Sequence, residues 1–276
     1  MTIKELLKRN QYIYSFLSEV MNLIRFLIST TKYQISKFLR VSRINRKSPF
    51  EKMKILKDKH KGDRCFIVAT GPSLLIEDLD KIKNEITFSM NSIFFAFDET
   101  DWRPTYYGIQ FPEFFDKYRS YIDHLEVEAK FVGDYIAKQA KLTDDYYIYP
   151  LNMLNHNRSK KKYHYNFSAD PFKDVYSGHT ITYSLMQIAV YMGFEEIYLI
   201  GVDCNYPSNT NTHFKDYGIV DPLSSTAGER MICAFKEAKK YADRHKINIY
   251  NATRGGMLEV FERVDLDKLF SEEKVI

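Results

Sequence analysis

Four short segments carry residues suited to holding and moving a phosphorylated ligand. The first, Thr70-Gly71-Pro72-Ser73, follows an apolar run and precedes a helical pattern. A glycine there lets the backbone approach a ligand closely, and proline pre-sets the first helical φ. Ser73 and the free N–H groups of a helix start can then bind phosphate. The segment is neither a Walker A loop nor a GxGxxG fingerprint, and a plain tight turn accounts for the same residues. The second, Tyr176-Ser177-Gly178-His179-Thr180, puts hydroxyls at another helix start, with ordinary N-capping by Ser177 or Thr180 as the alternative. The third, Gly201-Val-Asp203-Cys-Asn-Tyr206, delivers Asp203 and Tyr206 to a strand end, unless Asp203 only caps the next turn. The fourth, Asn251-Ala-Thr-Arg-Gly-Gly256, adds a fixed cation: Arg254 either clamps a phosphate or carboxylate or makes a structural salt bridge.

Proton transfer at such a site calls for a base. His213, near Asp216 and Tyr217 on a long polar loop, has the right chemistry, although a loop histidine can equally be simply solvated. His179 is the reserve candidate. Metal chemistry has little to work with. Asp78-Leu-Asp80 and Asp265-Leu-Asp267 match the DxD pattern literally, but neither lies at a strand exit, and both read as solvated helix faces. HExxH, paired-cysteine and GxSxG patterns are absent, so no metal site is expected.

The elements that must position these residues alternate between strand and helix. Strand-like runs cover 65–70, 86–91, 105–110, 196–203 and 247–250, with weaker ones at 129–132 and 146–149. Helical patterns cover 75–83, 179–192 and about 228–245, and a polar loop or lid spans 151–172 with Lys160–Lys162 within it. This order predicts an α/β fold: one Rossmann-like domain, residues 51–276, with a mostly parallel sheet and helices on both faces. Ligands sit beyond the carboxyl ends of such strands. Thr70, Gly71, Pro72, Ser73, Ser177, Gly178 and Asp203 are the candidate ligand-binding residues there, and Asn91 and Gln110 end the second and third strands.

Residues 1–50 have a different character. Ile13, Phe16, Leu17, Val20, Met21, Ile24, Leu27 and Ile28 recur at helical spacing, and Ser48-Pro49 ends the arm. The arm holds ten Lys/Arg against two acids, whereas the remaining thirty Lys/Arg face thirty-four acids. The formal charge of +4 over 276 residues thus joins a +8 arm to a −4 body. An acidic body argues against nucleic acid as partner. A basic amphipathic helix suits an anionic membrane surface, or packs on the body or a second subunit as a homo-oligomer contact. Three scattered cysteines, no signal-peptide pattern and no long uncharged apolar run predict a cytoplasmic protein, peripheral on the inner face of the cell membrane.

Thr-Gly-Pro-Ser-Leu (70–74), Met90-Asn91, Ser177-Gly178 and Met192-Gly-Phe-Glu-Glu-Ile-Tyr-Leu-Ile-Gly-Val-Asp203 occur in a telling order. On these motifs the chain from about Gly62 to Leu269 resembles the 6-hydroxymethylpterin diphosphokinase-like family of bacterial polysaccharide gene clusters. More distantly it is similar to bacterial lipooligosaccharide sialyltransferases, which use CMP-sugars without metal. The second resemblance implies that the Gly71-Pro72-Ser73 turn contacts the donor phosphate, Asn91 the nucleotide and Ser177-Gly178 the donor sugar. Tyr206 is the nearest equivalent of a tyrosine that steadies the departing phosphate. Thr70 and Ser92 stand where those enzymes carry Asn and Gln, and Asp174 where they carry Arg. An anion in that last place argues against a sialic-acid donor.

Taken with the residue reading, the resemblance implies a metal-independent glycosyltransferase using a nucleotide-sugar, of CMP-sugar type by preference, on a glycan or lipid-linked acceptor. His213 is the expected base, with Tyr206 and Arg254 stabilising the leaving phosphate. Two alternatives stand beside it: pyrophosphate transfer from ATP, which would require Mg²⁺, and a non-catalytic membrane-bound nucleotide-binding protein.

Overall fold

The computed structural model describes residues 11–154, 165–206, 214–215 and 226–272. The chain divides into two compact units, Met1–Ser48 with Met153–Lys162, and Pro49–Asn152 with Tyr163–Ile276. In the first unit, α1 (Gln11–Val41) is one unbroken helix. It ends where Arg43 turns left-handed, with Ser42 N donating to Phe38 O and Asn45 N to Leu39 O. Among the described residues no helix is long and apolar enough to cross a membrane.

The second unit is built on strands β1 (Arg64–Val68), β2 (Thr87–Met90), β3 (Tyr106–Ile109), β4 (Ala129–Gly133), β5 (Tyr146–Tyr149), β8 (Glu196–Ile200), β9 (Asn248–Asn251) and β10 (Glu262–Arg263). All pair in parallel, in the order β10-β9-β8-β1-β2-β3-β4-β5. A two-stranded ribbon, β6 (Leu151–Asn152) with β7 (Val175–Tyr176), stands apart. The helices are α2 (Ile76–Lys81), α3 (Pro112–Asp123), α4 (Asp134–Ala137), α5 (Ile181–Tyr191), α6 (Ala227–His245) and α7 (Leu266–Glu272).

Successive side chains of a strand point to opposite faces, and both faces here are apolar. Along β1, Cys65 and Ile67 join a core with Leu185 and Ile188 of α5 and Phe235 of α6. Phe66 and Val68 join a second core with Leu79 of α2, Phe115 of α3 and Leu266 of α7. The Rossmann-like α/β class expected from the sequence is the observed one. Several elements escape the sequence patterns, three of them instructive. Glu51–Leu56, which shows no clear helical or strand pattern, is a short 3-10 helix burying Met53 and Leu56. Helix α3 has Pro112 at its start and a non-helical Tyr118 that interrupts the 3.6-residue period. Strand β10 is only two residues long.

The topology locates the crevice. From β1 the chain steps outward through β2, β3, β4 and β5, then returns to place β8 on the other side of β1. The direction of winding reverses between β1 and β8, and ligands of open α/β sheets bind at the carboxyl end of such a switch.

Candidate functional site

At the switch the backbones of β1 and β8 stay paired past their last strand residues: Ala69 N donates to Ile200 O at 2.8 Å and Gly71 N to Gly201 O at 3.0 Å. Asp203 then folds back over this junction. Its Oδ2 accepts from Ser73 Oγ at 2.9 Å and from Ser73 N at 3.3 Å. The fit leaves no room for a side chain at residue 71, since a Cβ on Gly71 would lie 2.0 Å from Asp203 Oδ2 and 2.4 Å from Gly201 O. Close approach of chain to chain is therefore what the glycine permits. Helix α2 begins only at Ile76. Ser73 thus lies outside the helix's first turn, and its donors are given to Asp203. That corrects the expectation of a helix-start phosphate site here.

The segment after β9 is the shelf under Asp203. Thr253 Oγ1 accepts from Val202 N at 3.0 Å, and Met257 N donates to Asp203 O at 2.7 Å. Asn251 anchors the turn from within: its Oδ1 accepts from Thr253 N at 3.0 Å and its Nδ2 donates to Leu258 O at 2.6 Å. Burial raises the Asp203 carboxyl above the ordinary aspartate range, against the lowering effect of the Ser73 bonds. The neighbouring Cys204 thiol is pushed up to about 12, by burial and then by the Asp203 charge.

Arg254 leaves this shelf in another direction. Its Nε lies 3.0 Å from both oxygens of Asp78, and its NH2 lies 2.7 Å from Asp78 Oδ1 and 2.9 Å from Asp267 Oδ2. Asp78 has no exposed surface, so it requires a counter-charge, and Arg254 supplies it. The guanidinium expected on a leaving phosphate is a structural salt bridge instead. Both DxD pairs are accounted for in the same way. Asp78 is buried, not solvated, Asp80 accepts from Thr100 Oγ1 at 2.5 Å, and Asp265 caps the turn into α7 through Asp267 N at 2.9 Å.

A second polar group forms two strands away. Gln110, just past β3, donates from Nε2 to Ser177 Oγ at 3.1 Å, and its Oε1 accepts from Ser184 Oγ at 2.8 Å and Tyr149 OH at 3.3 Å. Gly178, at φ +55°, is followed by His179 at φ +61°, and a Cβ on Gly178 would meet the Tyr183 ring at 2.4 Å. Thr180, not Ser177, caps α5, accepting from Thr182 N at 3.3 Å. Ser177 is held in place by a residue the sequence patterns did not single out. Gln187 on α5, fully buried, accepts from Tyr176 N at 3.0 Å and donates to Tyr176 O at 2.8 Å, clamping the residue before it.

Between the two groups, Asn91 leaves β2 in the left-handed region at φ +47°, its carbonyl accepting from Tyr107 OH at 2.7 Å. Next to it Ser92 Oγ is buried without a hydrogen-bond partner among the described residues. Asn91, His179 and Cys204 are non-glycine residues in a costly backbone region at strand exits on one edge, and such strain clusters at functional sites. Tyr206 is half-buried, its hydroxyl 3.5 Å from Met231 Sδ on α6. His213 and the lid lysines Lys160–Lys162 lie outside the described residues. The residue after His213 does not: Phe214 N donates to Thr70 O at 3.0 Å. A cleft of about 320 Å³ lined by Lys54, Asp58, Asp170 and Tyr191 lies at the opposite, amino edge of the sheet, away from these groups.

The edge offers serine hydroxyls, the carboxamides of Gln110 and Asn91 and the buried Asp203 carboxylate, a set suited to a polyhydroxylated ligand. No three His, Cys, Asp or Glu side chains among the described residues are grouped to hold a metal.

Comparison with known proteins gives two matches. Among solved structures, the MAf glycosyltransferase from Magnetospirillum magneticum AMB-1 is similar over 79% of this chain and 37% of that one, at 15% identity and a TM-score of 0.49. The chain thus spans little more than a third of that protein's length. No curated protein sequence matches significantly. The model of the family described as 6-hydroxymethylpterin diphosphokinase MptE-like matches residues 37–209, more than half of the chain, and the chain belongs to that family.

Proposed function

We propose that the carboxyl edge between β8 and β3 binds a nucleotide-sugar, and that the protein is a glycosyltransferase. One observation carries this reading. The Asp203–Ser73 group and the Gln110–Ser177 group stand at the exits of strands three places apart, with Asn91 between them. At the spacing of neighbouring strands that is about 14 Å, room for an elongated ligand laid across the sheet edge. In this reading Gly71, Ser73 and Asn91 face the nucleotide, and Ser177 and Gly178 face the donor sugar. A phosphate must take Ser73's donors from Asp203, so donor binding and release of the Asp203 carboxylate are one event. His213 removes the proton from the hydroxyl of a glycan or lipid-linked acceptor; this role rests on its chemistry. Tyr206 donates to the departing phosphate. No metal is assigned a role. We favour a CMP-sugar, on the resemblance to sialyltransferases alone.

The family description favours a second reading, pyrophosphate transfer from ATP to a pterin. That chemistry places Mg²⁺ on the phosphates. Asp203 is the carboxylate at the switch, and it is engaged with Ser73. A thermal-shift panel of CMP-, UDP-, GDP- and CDP-sugars against ATP with Mg²⁺ tests both readings, because a ligand that binds only the folded state raises the melting temperature. Stabilisation by one or more nucleotide-sugars is expected. Stabilisation by ATP with Mg²⁺ and by none of the sugars would overturn the first reading in favour of the second.

A further inference from the structure

Helix α1 presents a long apolar face to its surroundings. Phe16, Ile24, Leu27, Ile28, Ile35 and Phe38 are each between 50% and 65% exposed. At 100° per residue these six, with Ile13, Leu17, Val20, Met21, Leu23 and Leu39, fall within an arc of roughly 160°, while the half-buried Phe26 and Tyr33 lie outside it. Ser18, Asn22, Ser29 and Ser36 occupy the opposite side. The charges are arranged around this division. Arg25 and Lys32 lie along one border of the apolar arc and Lys37 along the other. Long basic side chains can there cover apolar surface while carrying their charge outward. From Gln11 to Lys47 seven cations face one acid, Glu19.

Three occupants fit an exposed apolar helix face, and the residues separate them. A membrane-crossing role is excluded for α1 by its recurring charges, Glu19, Arg25 and Lys32, and by its limited apolar length. A coiled-coil seam uses a narrow stripe at alternating steps of four and three. Ile13, Leu17, Val20, Ile24 and Leu27 follow those steps, but the next two positions are Thr31 and Gln34, which would bury a hydroxyl and a carboxamide in the seam. The apolar arc is also much wider than such a stripe. A bilayer surface accepts both features, because a wide face sinks to the acyl boundary and scattered polar groups reach the headgroups. The excess of cations selects anionic headgroups.

We propose that α1 is an in-plane anchor for an anionic phospholipid surface. Its apolar face is seated at the acyl boundary, and Arg25, Lys32, Lys37 and the following Arg43, Arg46 and Lys47 lie against headgroup phosphates. This assignment is independent of the donor reading.

The test uses the full chain and vesicles of phosphatidylcholine with or without phosphatidylglycerol. The protein is expected to float with the anionic vesicles, to bind neutral ones far more weakly, and to be partly released by high salt. Ile24→Glu/Ile28→Glu is expected to lower partitioning at least about tenfold. Phe16→Trp and Phe38→Trp are expected to shift their emission to the blue and to be quenched by brominated lipid, while Ser29→Trp is not. The native Trp102 is 1% exposed in the body's core and gives a constant background. Circular dichroism and nucleotide-sugar titration of the same variants separate a lost anchor from a lost fold or a lost donor site. Absence of binding to anionic vesicles would overturn the proposal. So would a stable wild-type dimer that Ile24→Glu/Ile28→Glu dissociates while neither form binds lipid, an outcome assigning the face to a second copy.

Discussion

In the proposed reading the site turns on Asp203, which is buried, carries a raised pKa and holds both donors of Ser73. A carboxyl whose folded pKa lies above its unfolded one binds protons more tightly when folded. Its contribution to stability is therefore fully present below the unfolded pKa and is lost as pH rises through the folded pKa. Asp203→Asn keeps an oxygen for Ser73 and removes the buried charge. We expect the variant to match the wild type near pH 4 and to equal or exceed its melting temperature at pH 7 and 8, while losing donor binding. A variant that is less stable at every pH would show that Asp203 is chiefly a structural acceptor. The stability that evolution forgoes by keeping a charge here is the pattern expected of a functional residue. Arg254 shows the opposite pattern. Its guanidinium is spent on Asp78 and Asp267, so a fixed cation that looked chemical in the sequence is architectural in the fold.

At the scale of elements, α5 couples the core to the carboxyl edge through Gln187. One carboxamide on its buried face holds Tyr176 N and O and also accepts from Ser168 N at 3.0 Å, fixing the chain that leads to Ser177. Gln187→Leu fills similar space but leaves those backbone groups buried without partners. Each costs about 1–3 kcal/mol when stranded. Chemical denaturation should register that loss, and donor affinity should fall with it although Gln187 is not placed against the ligand. The helix itself was legible in the sequence, since Ile181, Leu185, Ile188 and Met192 give a clear stripe with Gly193 following. So were β1 and β8, whose apolar runs are long for strands buried on both faces. Helix α3 was not, because Phe111-Pro112-Glu113 was its only strong start signal and Tyr118 breaks its period. The pairing of Arg254 with Asp78, 176 residues apart in sequence, depends on tertiary contact and leaves no local pattern. The same holds for Gln187, whose role is defined by backbone groups eleven and nineteen residues away.

For the whole molecule, the division of charge and the division of core coincide. The two apolar cores of the sheet unit are built from Met53 onward, and every one of the ten cations that give the arm its +8 lies before residue 48. The polar groups at the carboxyl edge, from Gly71 to Asp203, likewise belong to the later unit. Removing residues 1–48 should therefore leave the sheet, its cores and its carboxyl edge standing. We expect a fragment of residues 49–276 to melt within about 3 °C of the full chain, a shift corresponding to no more than about 1 kcal/mol for a domain of this size. Its nucleotide-sugar affinity should be unchanged. Its net charge of −4 should make it migrate as an acidic protein and abolish flotation with anionic vesicles. Calorimetry, ligand titration and flotation on the one fragment read these three properties separately. Loss of donor affinity with the melting temperature preserved would mean that the arm, and not the sheet edge alone, completes the site.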